Sequence, residues 1–261
     1  MRLRAPAVTA YNERMLDAVR CHRLLTAIAS ATVAPAALLA AAGVAWQLLS
    51  LVDFGYPALY GALDIQAHIA EYGPQNRYRS GFETLTPQQH QALFGDIVTA
   101  INHGGEGLET LRYQPPNATA EALLRPPEIA HLRLVADWVS LLQRAAIGAG
   151  LCLLAAVTWL RRAGHVPGGR ALAAGGGLAL AVGGGLTVAA FDAGDGGWFA
   201  RLHEWAFPSG HQWFFYYQES LMTTLMKAPD LFGPMAAELA GLTLGLTAAL
   251  LAAVRWWLRH D

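Results

Sequence analysis

Charge is scarce in this chain. Only 14% of its 261 residues are Asp, Glu, Lys or Arg, where a soluble domain carries about 25%. With 54% hydrophobic residues, the deficit excludes an ordinary soluble domain and points to a membrane protein. Lysine is nearly missing: Lys227 is the only one, while Arg, Ala and Gly abound, which reads as a coding bias without functional content. The formal net charge of -1 speaks against a nucleic-acid binder, which needs a basic face. Cysteine is limited to Cys21, beside Arg20 and Arg23, and Cys152, deep in an apolar run. No disulfide is expected between them, and no CxxC or His-rich metal spacing occurs. Internal repeats and low-complexity segments are also missing.

Long apolar runs are what the sequence does have. Crossing the hydrocarbon core as a helix takes about 20 residues, and four stretches qualify: roughly Leu24–Val52, Val139–Leu160, Ala171–Phe191 and Met235–Leu258. The first follows a positive segment and is too long for the core of a cleaved signal peptide, so it reads as an uncleaved signal-anchor. If the four alternate, the N-terminal tail, the loop Arg161–Arg170 and the end Arg255–Arg259 share one side. Ten of the eighteen basic residues then lie there. That bias places both termini in the cytoplasm and makes the chain a multi-pass membrane protein. Two glycine triplets, Gly175–Gly177 and Gly183–Gly185, predict close helix packing in the third stretch.

The expected fold is an all-α polytopic membrane protein of four transmembrane helices with a small, mostly helical extracytoplasmic cap. The chain reads as one membrane domain, 1–261, with the cap at 53–133 and an extracytoplasmic active-site segment at 192–233. In the cap, Thr86-Pro87 opens a helix with Leu93, Ile97, Val98 and Ile101 at helical spacing, and His103-Gly104-Gly105 ends it. Leu108–Tyr113 and Ala122–Leu124 flank Pro115-Pro116-Asn117 and predict a short hairpin. His68, His90 and His103 are expected in solvent.

The stretch Pro208-Ser209-Gly210-His211 is a tetrapeptide shared with lipid phosphatases of the type-2 phosphatidic acid class. Those enzymes hold the phosphoryl oxygens with a Lys separated by six residues from an Arg-Pro pair, and with a later Ser-Arg and second His. Here Arg125-Pro126 is present, but Ala118 stands at the Lys position. No Ser-Arg follows His211, and the only later His is His260. A transferring phosphoryl group needs bound cations, so the phosphatase reading is the runner-up. A non-enzymatic membrane protein that binds lipid or a partner is the third.

A wider window reads Leu202-His203-Glu204-Trp205-Ala206-Phe207-Pro208, then Trp213-Phe214-Phe215, Glu219-Ser220-Leu221-Met222 and Ala228-Pro229-Asp230-Leu231-Phe232. This resembles the second outer segment of the lipoprotein intramolecular transacylase family, in which a His with aromatics and Pro, a Trp-x-Phe, an acidic-Ser-Leu step and a Pro-acidic-x-Phe stretch precede the last span. Glu128-Ile129-Ala130-His131-Leu132 fits the front half of that family's second motif, and Leu134 stands where the family has Asp. The resemblance implies transfer of the sn-2 acyl chain of a diacylglyceryl lipoprotein to the α-amine of the same cysteine. It implies no cofactor and, as partners, a diacylated lipoprotein and membrane lipid.

Histidine titrates near neutrality and suits the proton work of acyl transfer. His131 and His203 are therefore the expected catalytic pair, one as base and the other as acid or oxyanion donor, with an acyl-imidazole as the covalent alternative. Arg144 is expensive inside a span; it is read as bundle-facing structure, or as a group that holds a substrate carbonyl or pairs with Glu238. Trp205, Phe207, Trp213, Phe214 and Phe215 read as an interfacial lid for substrate or as an anchor. Glu204 and His211 are auxiliary candidates, and Asp137 is the acid nearest to Leu134.

Overall fold

The computed structural model of the chain describes residues 5–170, 172, 177, 181, 185, 203, 204 and 206–260. The third apolar stretch, expected over 171–191, lies outside the described residues except at isolated positions, and so does Trp205.

The described elements run in the order α1 (Ala5–Ser50), α2 (Tyr56–Ala62), α3 (Ile65–Tyr72), α4 (Pro87–Asn102), β1 (Arg112–Tyr113), β2 (Glu121–Ala122), α5 (Pro126–Arg162), α6 (Leu221–Met226) and α7 (Phe232–Trp257). Among the described residues three helices are long and apolar enough to cross a membrane: Met15–Ser50, Pro126–Arg162 and Phe232–Trp257. Their outward faces carry exposed Leu24, Ile28, Leu142, Ile147, Leu151 and Leu154. Water would not tolerate so wide an apolar surface, and a bilayer requires it. The protein is a multi-pass, mostly helical membrane protein.

The helices pack through small residues, since lipid gives apolar side chains no reason to leave it. Ala29, Val33, Ala36 and Ala37 of α1 recur at helical spacing and form one buried cluster with Leu153, Ala156, Val157 and Leu160 of α5. Further up, Gly43 lies flush against Ala146.

After α1 the chain breaks sharply. Asp53, Phe54 and Gly55 all adopt positive φ (50°, 52° and 68°), which turns the backbone out of the rod and into the cap. Thr86 caps α4 reciprocally: Gln89 N–H donates to Thr86 Oγ1 (3.3 Å), and Thr86 N–H donates to Gln89 Oε1 (2.8 Å). With Pro87 at the first turn, α4 buries His90, Leu93, Phe94, Ile97 and Val98 on one face. The hairpin is minimal, pairing Arg112 with Ala122 and Tyr113 with Glu121 in antiparallel register.

The cap and the segment before α7 share one core. Tyr56, Phe82, Ile65 and Ile97 pack in the same cluster as Leu221, Leu225 and Leu231. Tyr56 Oη donates to the carbonyl of Leu225 (2.6 Å), and Lys227 Nζ to that of Leu63 (2.7 Å). Helix α5 runs unbroken from the cap through its apolar stretch over 37 residues. A residue near its start is therefore rigidly coupled to the membrane-crossing part.

Candidate active site

The N-terminus of α5 is over-determined. Arg125 precedes the helix, Pro126 and Pro127 fill the first turn, and Glu128 Oε2 accepts from Arg125 N–H (2.6 Å). The other carboxylate oxygen accepts from Ser220 Oγ (2.5 Å). Ser220 in turn caps α6, accepting from Thr223 N–H (3.0 Å). Glu128 and Ser220 are both fully buried. One turn on, at i+3, His131 projects from the same face of α5 as Glu128.

His131 is the centre of a ring cluster. The imidazole centroid of His203 lies 5.9 Å from its own, with planes 20° apart. That of His211 lies 5.5 Å away at 19°. The Nδ1 of His131 and the Nε2 of His211 are hydrogen-bonded at 3.3 Å. Phe207 packs on all three imidazoles, at 4.9, 5.4 and 5.5 Å. Phe215 closes the far side of His131 (6.0 Å), and Trp213 lies 5.0 Å from His203. Trp138 Nε1 donates to the carbonyl of Ala206 (2.9 Å), which ties this outer segment to α5. His131 is buried, and His203, His211, Phe207 and Trp213 are half-buried. Two expected residues, 72 positions apart in sequence, thus share one aromatic-lined site.

Other expected residues fall elsewhere. Glu204 is exposed to solvent. Asp137 is exposed and cannot stand in at the place of Leu134: six residues past His131 is about 240° round the helix. Arg144 is exposed on α5 and has no carboxylate partner among the described residues, so the expected pairing with Glu238 is not formed. Thirteen residues below His131, it sits about 20 Å along the helix, out of reach of an ester held at the imidazoles. Glu238 instead lies against the backbone of Gly55. His68 and His90 are buried, where solvent was expected. Neutral His90 accepts from Tyr60 Oη at Nδ1 (2.8 Å) and donates from Nε2 to the carbonyl of Phe82 (3.0 Å). Burial holds its pKa below the ordinary 6.5, and burial raises Tyr60 to about 12. No group of three His, Cys, Asp or Glu side chains among the described residues is arranged to hold a metal ion.

Sequence reasoning missed two features. Glu128 entered only as the first residue of the motif around His131, and nothing in the pattern signals a partner 92 residues away. His211 was expected only as an auxiliary group, at a position the family pattern leaves open, and its contact with His131 was not foreseen.

No protein-family model matches the chain, and no curated protein matches it. Among solved structures, the chain is similar to the membrane-integral lipoprotein intramolecular transacylase Lit from Bacillus cereus, in a form with a His-to-Arg mutation. The superposition has a TM-score of 0.60 at 14% identity and covers 94% of this chain and 95% of that one. The fold is that of Lit. The likeness extends over nearly the whole of both chains. At 14% identity it is the fold that is shared.

Proposed function

We propose that the chain is a lipoprotein-modifying membrane acyltransferase. Its reaction moves the sn-2 acyl chain of a diacylglyceryl lipoprotein to the α-amine of the lipoprotein's N-terminal cysteine. The observation that carries this reading is the convergence of His131 and His203, with His211, in an aromatic site where α5 enters the cap, on a Lit-like fold. The site works on the outer face of a bacterial inner membrane, with both termini in the cytoplasm.

The chemistry needs no external donor. Amine and ester hang from one cysteine, so tethering supplies much of the advantage of bringing them together. An α-amine has a pKa of about 7.7–8.0 and is partly neutral near pH 7. The neutral amine attacks the ester carbonyl and forms the new C–N bond. One of the two imidazoles takes the ammonium proton, and an N–H donor meets the oxyanion. Collapse breaks the C–O bond to glycerol, and the departing oxygen takes a proton from the other imidazole as that ring receives the amine's proton from the first, so both rings end neutral. The products are an N-acyl cysteine and a free sn-2 hydroxyl. Phe207, Trp213 and Phe215 line the side of the imidazoles where an acyl chain would lie.

The test is mass spectrometry of lipoprotein N-termini from cells with and without the protein. An acyl chain moved from glycerol to the amine supports the reading. Unchanged N-termini, or phosphate released from lipid phosphates by the purified protein, overturn it.

A further inference from the structure

The tetrapeptide Pro208-Ser209-Gly210-His211 has a structural role that the catalytic pair does not explain. His211 N–H donates to the carbonyl of Pro208 at 3.0 Å, closing a four-residue turn. Gly210 occupies its third position with φ 84°, the region that type II turns reserve for glycine. A side chain there would meet nothing within 4 Å, so the backbone conformation, and not crowding, calls for glycine. The turn aims His211 at His131. The Nε2 of His211 meets the Nδ1 of His131 at 3.3 Å, and the two planes are nearly parallel.

One proton lies on that line, because two neutral imidazoles in contact share one donor and one acceptor. If His211 donates, His131 carries its own N–H on Nε2 and has no free lone pair. If His131 donates, its Nε2 lone pair is free to take a proton. Only the second arrangement makes His131 a base. It also leaves an acceptor against Nδ1–H when the ring gains charge, as the third member of a catalytic triad does.

We infer that His211 is a positioning residue that accepts from Nδ1–H of His131 and so fixes His131 in the tautomer whose Nε2 accepts protons. The choice of tautomer and its catalytic consequence both rest on the acyl-transfer reading, and the spectra below test the tautomer by itself. His211 touches His131, and its effect on the reaction passes through that ring.

The experiment uses the full-length protein in lipid nanodiscs, a synthetic diacylated lipopeptide, and NMR of ring-labelled histidine. His211→Phe keeps a ring against Phe207 and removes the acceptor, whereas His211→Gln keeps a polar group near the Nε2 position. We expect the wild type to show His131 as a single Nδ1–H tautomer, retained in His211→Gln and replaced by a mixture in His211→Phe. We expect kcat to fall about 10- to 100-fold in His211→Phe, the range for partners that orient metal-bound histidines, with KM within about twofold. His211→Gln should recover most of it. An unchanged His131 tautomer in His211→Phe overturns the inference, as does a wild-type His131 protonated on Nε2. Should the Phe variant fail to fold, the wild-type and Gln spectra decide alone. A wild type with the expected spectra but no acyl transfer defeats the proposed function and leaves this inference standing.

Discussion

Ser220 donates its hydroxyl to the buried carboxylate of Glu128 at 2.5 Å, across 92 residues of sequence. The contact joins the first turn of α5 to the N-cap of α6. It therefore fixes where His131, one turn above Glu128, stands relative to the outer segment that brings His203 and His211.

Removing the hydroxyl leaves a fully buried carboxylate oxygen short of a donor. A hydrogen bond to a charged group is worth about 1.5–3 kcal/mol, and losing an N-cap costs about 1 kcal/mol more. Ser220→Ala should lower the thermal midpoint of the purified protein by several degrees. Ser220→Thr, which keeps the hydroxyl, should lower it less. Equal losses in both would show that packing volume, and not the hydrogen bond, matters at this position.

The ring cluster predicts non-additive kinetics. His131 and His203 face each other at 5.9 Å within one aromatic enclosure. Members of one catalytic unit do not contribute independently. His131→Ala and His203→Ala should each reduce acyl transfer by at least about 100-fold, the lower range for general acid–base help. The double variant should be no worse than the poorer single one. Rate losses that multiply would mean that the two rings act in separate steps or at separate sites.

Much of the scaffold was legible because its signals are local. Apolar length marks the C-terminal ends of α1, α5 and α7 (Ser50, Arg162 and Trp257) to within a few residues, and Thr86-Pro87 marks the start of α4. The starts of α1 and α5 were less legible: α1 begins at Ala5, well before its apolar run at Leu24. Helix α5 begins at Pro126, thirteen residues before its apolar run, because a cap buries that extra length and hydropathy does not record it. The catalytic candidates were found through motif spacing, and their proximity follows from the shared core of cap and outer segment. The clamp of Ser220 on Glu128, and the burial of His68 and His90, are long-range facts. A polar residue on an amphipathic helix looks the same from sequence whether its partner is water or a tyrosine, as His90 with Tyr60 shows.

That buried histidine gives a pH prediction. His90 is 1% exposed, and burial depresses its pKa in the folded protein below 6.5. As pH falls below 6.5 the unfolded chain takes up a proton that the fold resists, so stability falls with decreasing pH and is insensitive to this group above it. The slope from one such group is at most about 1.4 kcal/mol per pH unit. The thermal midpoint should drop between pH 6.5 and 5, and His90→Gln should flatten part of that drop while lowering the midpoint at pH 7.5. A variant as acid-sensitive as the wild type would assign the effect to other groups, His68 first.

Orientation is open to direct labelling. The arginine bias puts the cap outside and the loop after α5 inside. A single cysteine at Gln89, an exposed position on α4, should react in intact cells with a membrane-impermeant maleimide. One at Gly168 should react only after permeabilisation. The reverse pattern would move the histidine cluster to the cytoplasmic face, away from mature lipoproteins.

Gly43 tests how α1 and α5 hold together. A methyl group added there would run into the methyl of Ala146, whereas one added at Gly148 meets nothing within 4 Å. Both glycines sit inside helices, and replacing either by Ala improves helix propensity by up to about 1 kcal/mol. At Gly148 that gain stands alone, so Gly148→Ala should leave the thermal midpoint unchanged or raise it. At Gly43 the gain is opposed by overpacking of about 1–3 kcal/mol, because two rods in close contact cannot yield at one point without parting along their length. Gly43→Ala should therefore lower the midpoint. It should also weaken acyl transfer, since α5 carries His131 at the end of the same rigid helix. Identical midpoints for the two variants would show that the α1–α5 contact is loose enough to absorb a methyl group.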